Sequence, residues 1–200
     1  GFADWNDCMN LPLGAESSFN AGLYAKALLE MMDICETLGD TKSVKMYKGW
    51  YEDIKKAFND AAWDGKWWIR WFDKEGNAYG THKAKYGKIY CNSQSWSVMS
   101  GIAYGERAVM GMDSLNKLLN TANGVKSSTP GYRGFDGRVG GISTYPPGAK
   151  ENGGIFLHTN PWVMIAETIL GRGDKAFQYY NQINPASKNA KLDEFESEPY

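Results

Sequence analysis

Apolar residues recur at three- and four-residue steps in six stretches of this sequence, the pattern of helices with one buried face. Ser17 or Ser18 is placed to cap the first helix, which runs to about Leu38. Asp40 or Thr41 is placed to begin the second. Because the connection is so short, we expect these two helices to fold back on each other as an antiparallel hairpin.

The same pattern predicts a second hairpin in the middle of the chain. Asn92 or Ser93 is the expected cap of its first helix, which continues through Ile102. Gly105 or Glu106 is expected to begin the partner helix.

A third hairpin is predicted near the end of the sequence. Asn160 is the expected cap, with Pro161 at the first helical position, and this helix reaches Leu170. A last helix follows Gly173 and passes through Ile183. Repeated helical hairpins bury their apolar faces in a solenoid or a closed ring, and the absence of a fixed-period repeat disfavours a regular solenoid. We therefore expect an all-α fold, in which three hairpins would form half of a six-hairpin (α/α) barrel.

Three stretches between the helices have a different character. Residues 63–72 are aromatic and end in a polar turn at 73–77, which predicts a short β-hairpin or an extended excursion. Residues 80–90 are polar and basic, and predict a loop. Residues 120–160 are rich in Gly and Pro and show little periodicity; so long a loop in a compact domain is usually functional or disordered.

Composition bounds the function further. Two hundred residues suffice for one domain, and a net charge of −1 with interspersed signs gives no reason to expect a nucleic-acid or membrane partner. The sequence begins with Gly1 rather than Met, so we expect it to be a segment of a longer protein. Eight Trp and twelve Tyr, together with Gly- and Asn-rich loops, are compatible with a carbohydrate cleft.

The cysteines and histidines argue against metal chemistry. Cys8, Cys35 and Cys91 are an odd number without CxxC spacing, which favours free thiols in a reducing compartment. His82 and His158 are the two histidines of the sequence, too few for a His-based metal site.

The opening stretch GFADWNDCMN carries the first candidate chemistry. Asp4 and Asp7 are three residues apart, with no basic residue beside them in the sequence. Close carboxylates compete for protons, and a neighbouring indole raises the pKa of an acid that it desolvates, so one acid could serve as a general acid. Trp5 would also offer an apolar face to a sugar ring. The alternative is an Asp/Asn-rich turn in which Asp4 or Asn6 caps a helix and Trp5 lies in the core.

The second candidate stretch is GISTYPPGAKENGGIFLHTNPW, residues 141–162. Lys150 and Glu151 precede an Asn-Gly-Gly turn that we expect to be flexible, and His158 comes just before a predicted helix start. A helix N-terminus attracts anions, and Lys150 and His158 could add positive charge there. The alternative is a structural histidine and a Lys-Glu pair on the surface.

Several motifs occur in a fixed order along the chain: ADWNDCMN, GAES, NSQSWSVMSG, YPPGAKENGGIFLHTNPW, LGRGDKAF and a closing EPY. Taken in this order, they resemble glycoside hydrolase family 94. The resemblance implies an inverting phosphorylase that acts on a β-linked disaccharide or oligosaccharide such as cellobiose. It also implies an (α/α)6 catalytic domain, of which residues 1–200 would be the middle-to-late part. The upstream β-sandwich domain of the family and the other barrel segments would be absent here.

The resemblance also implies roles for six residues. Asp7 matches the general acid, Trp5 and Lys150 line the donor-sugar subsite, Tyr145 and Glu151 line the acceptor-sugar subsite, and His158 binds phosphate. Further phosphate ligands would lie outside residues 1–200. Phosphate is then a co-substrate, no cofactor or metal is expected, and the full-length enzyme would be cytoplasmic and compatible with a homodimer.

Three alternatives stay open. An inverting glycoside hydrolase of the same barrel fold would use Asp7 as acid and Glu151 as base, and its turnover would not need phosphate. A non-catalytic carbohydrate-binding module would not depend on Asp7 for rate. A helical-repeat scaffold is disfavoured by the long Gly- and Pro-rich insert.

Overall fold

A computed structural model describes residues 4–191 and 193–194 of the chain. Helices dominate this part of the chain, and the α-helices within it are α1 (Ser18–Thr37), α2 (Thr41–Ala61), α3 (Cys91–Met99), α4 (Gly105–Leu119), α5 (Thr159–Ile169) and α6 (Gly173–Ile183). Two 3-10 helices cover Gly141–Thr144 and Pro185–Lys191. No helix within the described ranges combines the length and the apolar character needed to cross a membrane.

The helices pack as three consecutive pairs. α1 lies against α2, α3 against α4, and α5 against α6, while α3 also packs between α1 and α5. One helix of each pair therefore lies in a continuous row, as expected for part of a barrel of helical hairpins. The predicted all-α class is confirmed.

Side-chain caps set the starts of the first two helices as predicted. The Ser17 hydroxyl accepts a hydrogen bond from the backbone N–H of Asn20 at 3.2 Å, and the Asp40 carboxylate accepts one from Ser43 at 3.1 Å. Between the two helices Gly39 has a φ of +73°, in the left-handed region that ends a helix at low cost for glycine.

The predicted limits of α3 are wrong. The helix begins at Cys91, directly after a strand, and ends at Met99, so Ile102 lies beyond it. The polar residues at its start are buried inside the helix instead of capping it. Gln94 shows why: its amide accepts from the backbone N–H of Trp68 at 3.0 Å and donates to the Trp68 carbonyl at 2.9 Å.

The predicted cap of α5 is also wrong. His158 occupies the cap position, and Asn160 lies within the first turn with its side chain fully buried. The Asn160 carboxamide accepts from the Val125 N–H at 2.7 Å and donates to the Phe156 carbonyl at 2.7 Å. It therefore links α5 to the preceding loop rather than closing the helix end.

Short strands fill the stretches between helices. They are β1 (Glu16–Ser17), β2 (Trp71–Phe72), β3 (Ala78–Tyr79), β4 (Ile89–Tyr90), β5 (Asn120–Thr121), β6 (Gly124–Val125) and β7 (Ser128–Thr129). β2 and β3 form the predicted hairpin, and β1 adds to it as a third antiparallel strand. β4 pairs with β7 and β5 with β6, so two stretches predicted to be loops contain paired backbone.

Candidate active site

The loop of residues 4–10 is anchored by a buried ion pair between Asp4 and Arg70. Arg70 Nη1 lies 2.6 Å from Asp4 Oδ2, and Nη2 donates to Oδ1 at 2.8 Å. The Asp4 side chain is 0% exposed and that of Arg70 is 1% exposed. The Ser17 hydroxyl and the backbone N–H of Asn6 also donate to this carboxylate, at 2.5 and 2.9 Å. Ser17, which caps α1, and Arg70, directly before β2, therefore hold the start of the loop.

The same contacts fix the charge of Asp4. Burial raises the pKa of its carboxyl group, but the positive charge of Arg70 and the hydrogen bonds from Arg70, Ser17 and Asn6 outweigh burial. The net result is a pKa below the usual aspartate value, so Asp4 is ionised. The expectation that Asp4 competes with Asp7 for a proton is therefore wrong.

Asp7 lies on the exposed side of this loop. Within residues 4–191 and 193–194 its carboxylate has no hydrogen bond or ion pair. The backbone around it is fixed by its neighbours: Cys8 N–H donates to the Asn6 side chain at 3.3 Å, and Met9 N–H donates to the Asn6 carbonyl at 3.1 Å. The loop thus presents one free carboxylate from an Asp/Asn-rich turn.

Trp5 connects this loop to the start of α5. Its indole N–H donates to Nε2 of His158 at 2.6 Å. Its ring lies edge-on to those of His158, Phe156 and Trp162, with centroids 5.1, 5.5 and 5.7 Å away. Trp5 is half-buried, so it belongs partly to this aromatic cluster and partly to the surface.

Tyr145 connects the loop to the second candidate stretch. Its hydroxyl lies 3.1 Å from the Cys8 thiol, and the Lys150 ammonium lies 5.0 Å above its ring. The hydrogen bond with Cys8, the charge that this thiol can carry, burial and the charge of Glu151 all raise the pKa of Tyr145. The raised pKa keeps Tyr145 a neutral phenol near neutral pH, and Lys150 contacts its ring instead of forming a surface pair with Glu151.

Buried glycine and asparagine shape the loop that carries Lys150 and Glu151. The Asn152 side chain, 0% exposed, donates to the carbonyls of Tyr145 and Tyr132 at 2.7 and 2.9 Å and accepts from the Tyr132 N–H at 2.6 Å. A Cβ on Gly154 would lie 2.4 Å from the Lys150 carbonyl oxygen, so only glycine fits there. The Asn-Gly-Gly segment, expected to be a flexible turn, is buried and hydrogen-bonded.

Glu151 is half-buried beside these residues. One of its carboxylate oxygens, Oε2, is buried without a hydrogen-bond partner in the described part of the chain. An unpartnered buried oxygen is costly, and such a group is commonly satisfied by a ligand or a water molecule.

An open cleft of about 600 Å³ runs past Tyr145. Its walls are residues 133–135 and 143–147. A second cleft of about 640 Å³ lies on the other side of residues 133–135, with Tyr86 and Arg138 among its lining side chains. None of the six predicted site residues lines this second cleft, and the sequence had not singled out Arg133 or Phe135.

The profile described as the glycosyl hydrolase 94 superfamily, catalytic domain, matches residues 1–200. The chain belongs to this family.

Individual relatives of the family have a range of names. The chain is 36% identical to an N,N'-diacetylchitobiose phosphorylase of Vibrio proteolyticus over 99% of the chain and 25% of that protein. It is 33% identical to a 3-O-beta-D-glucopyranosyl-beta-D-glucuronide phosphorylase of Paenibacillus borealis, over 96% of the chain and 26% of that protein. A cyclic beta-(1,2)-glucan synthase of Rhizobium meliloti is 29% identical over 98% of the chain and 7% of that protein. The chain spans about a quarter of the length of the phosphorylases it matches.

Within this glycosyl hydrolase 94 chain, contacts connect most of the predicted site residues. The Trp5 indole N–H donates to His158, and the Lys150 ammonium lies above the Tyr145 ring. The charge of Glu151 contributes to the raised pKa of Tyr145. Asp7 joins them through the backbone, since Trp5, two residues before it, contacts His158 and Cys8, directly after it, contacts Tyr145. The closing EPY motif lies outside the described residues.

Three residues of the site escaped the sequence analysis: Arg70, Cys8 and Asn152. Arg70 had a signal, because a single cation inside the aromatic run WWIRWF is buried at high cost unless an acid pairs with it. Cys8 contacts Tyr145, which is 137 residues away in the sequence, and Asn152 hydrogen-bonds to Tyr132, which is 20 residues away. No pattern in the local sequence predicts either contact. Within the described ranges, no three His, Cys, Asp or Glu residues are grouped as metal ligands.

Proposed function

We propose that the full-length protein catalyses phosphorolysis of a β-linked disaccharide or oligosaccharide, with inorganic phosphate as co-substrate and no cofactor. The observation that carries the proposal is the Trp5–His158 hydrogen bond. It joins the loop that bears the exposed Asp7 to the N-terminus of α5, so a proton donor and an anion-binding helix end belong to one site. The names of the phosphorylase relatives support the same reaction class.

In the proposed reaction Asp7 is the general acid. It gives its proton to the glycosidic oxygen as the bond from that oxygen to the anomeric carbon breaks. A phosphate oxygen forms the new bond to this carbon from the opposite face, so the β-linkage becomes an α-sugar 1-phosphate. A positioned acid typically contributes about 10²–10⁴-fold to such a step.

A single carboxylic acid suffices for this chemistry. An inverting hydrolase needs a second carboxylate to activate water, whereas phosphate is already anionic at neutral pH. The nucleophile's side of the site needs hydrogen-bond donors and positive charge instead, and we assign His158 and the start of α5 to that task.

The remaining residues are assigned to the two sugars. Trp5 and Lys150 would contact the donor sugar, and Tyr145 and Glu151 the acceptor sugar. The unpartnered Glu151 carboxylate oxygen and the Tyr145 hydroxyl are suited to bind sugar hydroxyl groups, and the cleft beside Tyr145 provides the space.

We also propose that residues 1–200 are one part of a larger (α/α)6 catalytic domain. The chain covers a quarter of its phosphorylase relatives, and the row formed by α1, α3 and α5 is the inner layer that half of such a barrel would have. The other barrel segments, a β-sandwich domain and further phosphate ligands would then belong to the rest of the protein.

The decisive experiment measures whether turnover needs phosphate. The purified full-length protein is incubated with N,N'-diacetylchitobiose, cellobiose, laminaribiose, cellobionic acid and a glucosyl-glucuronide, each with and without phosphate. We expect one substrate to be consumed only with phosphate, and the proton NMR spectrum to show an α-linked sugar 1-phosphate.

Equal sugar release without phosphate would instead identify an inverting hydrolase with Asp7 as acid and Glu151 as base. A β-linked product would contradict inversion, while binding without turnover of any sugar would favour a carbohydrate-binding module.

A further inference from the structure

The His158 ring has one nitrogen committed to a partner. The Trp5 indole N–H is a donor and cannot accept, so His158 Nε2, 2.6 Å away, must be the acceptor. A neutral imidazole carries its single proton on the other nitrogen. The contact therefore sets the tautomer of His158, with the proton on Nδ1.

The His158 ring also packs against two further aromatic side chains. Phe156 and Trp162 lie edge-on to it, with ring centroids 5.6 and 5.7 Å away. His158 occupies the cap position of α5, yet its side chain makes no capping hydrogen bond. In the described part of the chain the Nδ1–H is thus left available beside the helix start.

The start of α5 has few other donors to offer. The backbone N–H of Asn160 donates to the Leu157 carbonyl at 3.3 Å, and Pro161 has no N–H. A helix N-terminus normally presents several free N–H groups to an anion, and two of these positions are lost here. The imidazole N–H of His158 beside this helix end supplies one hydrogen-bond donor in place of the two backbone donors that are missing.

We propose that Trp5 is a positioning residue for phosphate, which it serves by holding His158 in the tautomer that presents Nδ1–H to the anion. This inference rests on the proposed function, in which His158 binds phosphate. It adds that the loop bearing the proton donor sets the hydrogen-bonding state of the phosphate site. A displaced loop would then weaken phosphate binding as well as proton transfer.

Isosteric substitutions of His158 test which nitrogen donates. The amide nitrogen of asparagine mimics Nδ1, and that of glutamine mimics Nε2. We expect His158→Asn in the full-length protein to keep the Michaelis constant for phosphate within about 3-fold, and His158→Gln to raise it about 10-fold, the cost of one good hydrogen bond to an anion. The reverse order would overturn the inference.

A double-mutant cycle tests whether Trp5 acts through His158. Trp5→Phe keeps an aromatic ring but removes the indole N–H, and should raise the phosphate constant about 10-fold in the wild-type background. In the His158→Ala background it should have no further effect on that constant, because the residue through which it acts is gone. Phe156→Leu, which alters ring packing around His158 without touching the hydrogen bond, is the matched control and should change the phosphate constant less than about 2-fold.

The outcomes separate this inference from the proposed function. If His158→Ala leaves the phosphate constant unchanged, His158 is not a phosphate ligand and the proposed assignment fails. If His158→Ala raises that constant but the effect of Trp5→Phe adds to it in full, His158 binds phosphate and the positioning role of Trp5 is wrong.

Discussion

Asp4 and Arg70, 66 residues apart in the sequence, form a buried ion pair. Neither side chain is more than 1% exposed. Removing one partner of a buried pair leaves the other charge unpaired, which typically costs about 3–5 kcal/mol. We expect Asp4→Asn in the full-length protein to lower the free energy of unfolding by about this amount in urea titrations. Asp7→Asn is the matched control: Asp7 is exposed and unpartnered in the described part of the chain, so its change should stay within about 0.5 kcal/mol. Equal stability of the two variants would contradict the role of the ion pair.

The same pair predicts how stability depends on pH. The pKa of Asp4 is lower in the folded state than the ordinary value of 3.8, because the charge of Arg70 and the hydrogen bonds outweigh burial. The stabilisation is therefore fully present well above pH 3.8 and is lost as the pH falls through the lower folded-state pKa. The difference in stability between wild type and Asp4→Asn should be constant near neutral pH and shrink in acid. A difference that grows in acid would show that the sign is wrong.

Asp7→Asn should separate catalysis from folding. Because the leaving sugar loses its proton donor, turnover of an unactivated disaccharide should fall by about 10²-fold or more. The Michaelis constant for phosphate should change far less, since Asp7 is not assigned to the nucleophile. Steady-state kinetics of the full-length protein measure both quantities, and near-normal turnover would exclude Asp7 as the acid.

The contact between Cys8 and Tyr145 predicts an effect on the acceptor sugar. Cys8→Ala removes the partner of the Tyr145 hydroxyl, and the loss of one hydrogen bond should raise the Michaelis constant for the acceptor by about 3- to 10-fold in the synthetic direction. Cys8→Ser places a hydroxyl where the thiol was, which can also bond to the Tyr145 hydroxyl, and should largely restore this constant. Cys35→Ala, a buried cysteine on α1 away from Tyr145, is the control and should leave this constant unchanged. If all three variants behave alike, the contact does not position Tyr145.

The outer surfaces of the first and last helix pairs predict how residues 1–200 behave when expressed alone. Large apolar side chains are exposed on both, such as Leu38 (76%), Ile34 (51%), Phe177 (65%) and Ile169 (55%). If the remaining hairpins of a barrel normally cover these surfaces, the isolated segment should self-associate or unfold without a sharp transition. Sedimentation and thermal melting would measure this. A monomer with a cooperative transition would contradict the half-barrel proposal.

The sequence was most informative where structure is local. Ser17 and Asp40 were predicted as helix caps because a cap needs only a side-chain oxygen and an N–H three residues ahead. Asn160 looks like a cap by the same sequence rule, but it lies in the first turn of α5, where its side chain hydrogen-bonds to the backbone of Val125 and Phe156. A rule based on neighbouring residues does not predict these hydrogen bonds. Pairs of two-residue strands, such as β4 with β7, were missed because too few residues are involved to produce an alternating pattern.

The motifs of the sequence named residues of the candidate site, but they did not predict the hydrogen bonds and ion pairs between these residues. The motifs indicated Asp7 and His158, while the bond between Trp5 and His158 spans 153 residues. No basic residue lies next to Asp4 in the sequence, and its partner Arg70 lies directly before β2. Contacts of this kind depend on how the hairpins pack, and they become visible only in three dimensions.

The way Asn152 holds its loop has a consequence for enzyme engineering. Its side chain hydrogen-bonds to the backbone of Tyr132 and Tyr145, and within the described part of the chain it has no hydrogen bond to another side chain. The path of the loop around residues 145 and 151 is therefore held by Asn152 rather than by their side chains, whereas Lys150 has a φ of +45°, in the left-handed region that few residue types adopt readily. In the proposed function Tyr145 and Glu151 contact the acceptor sugar, so selectivity for this sugar can be redesigned at these two positions by recombining side chains in a library, as long as Asn152 and Gly154 are kept constant.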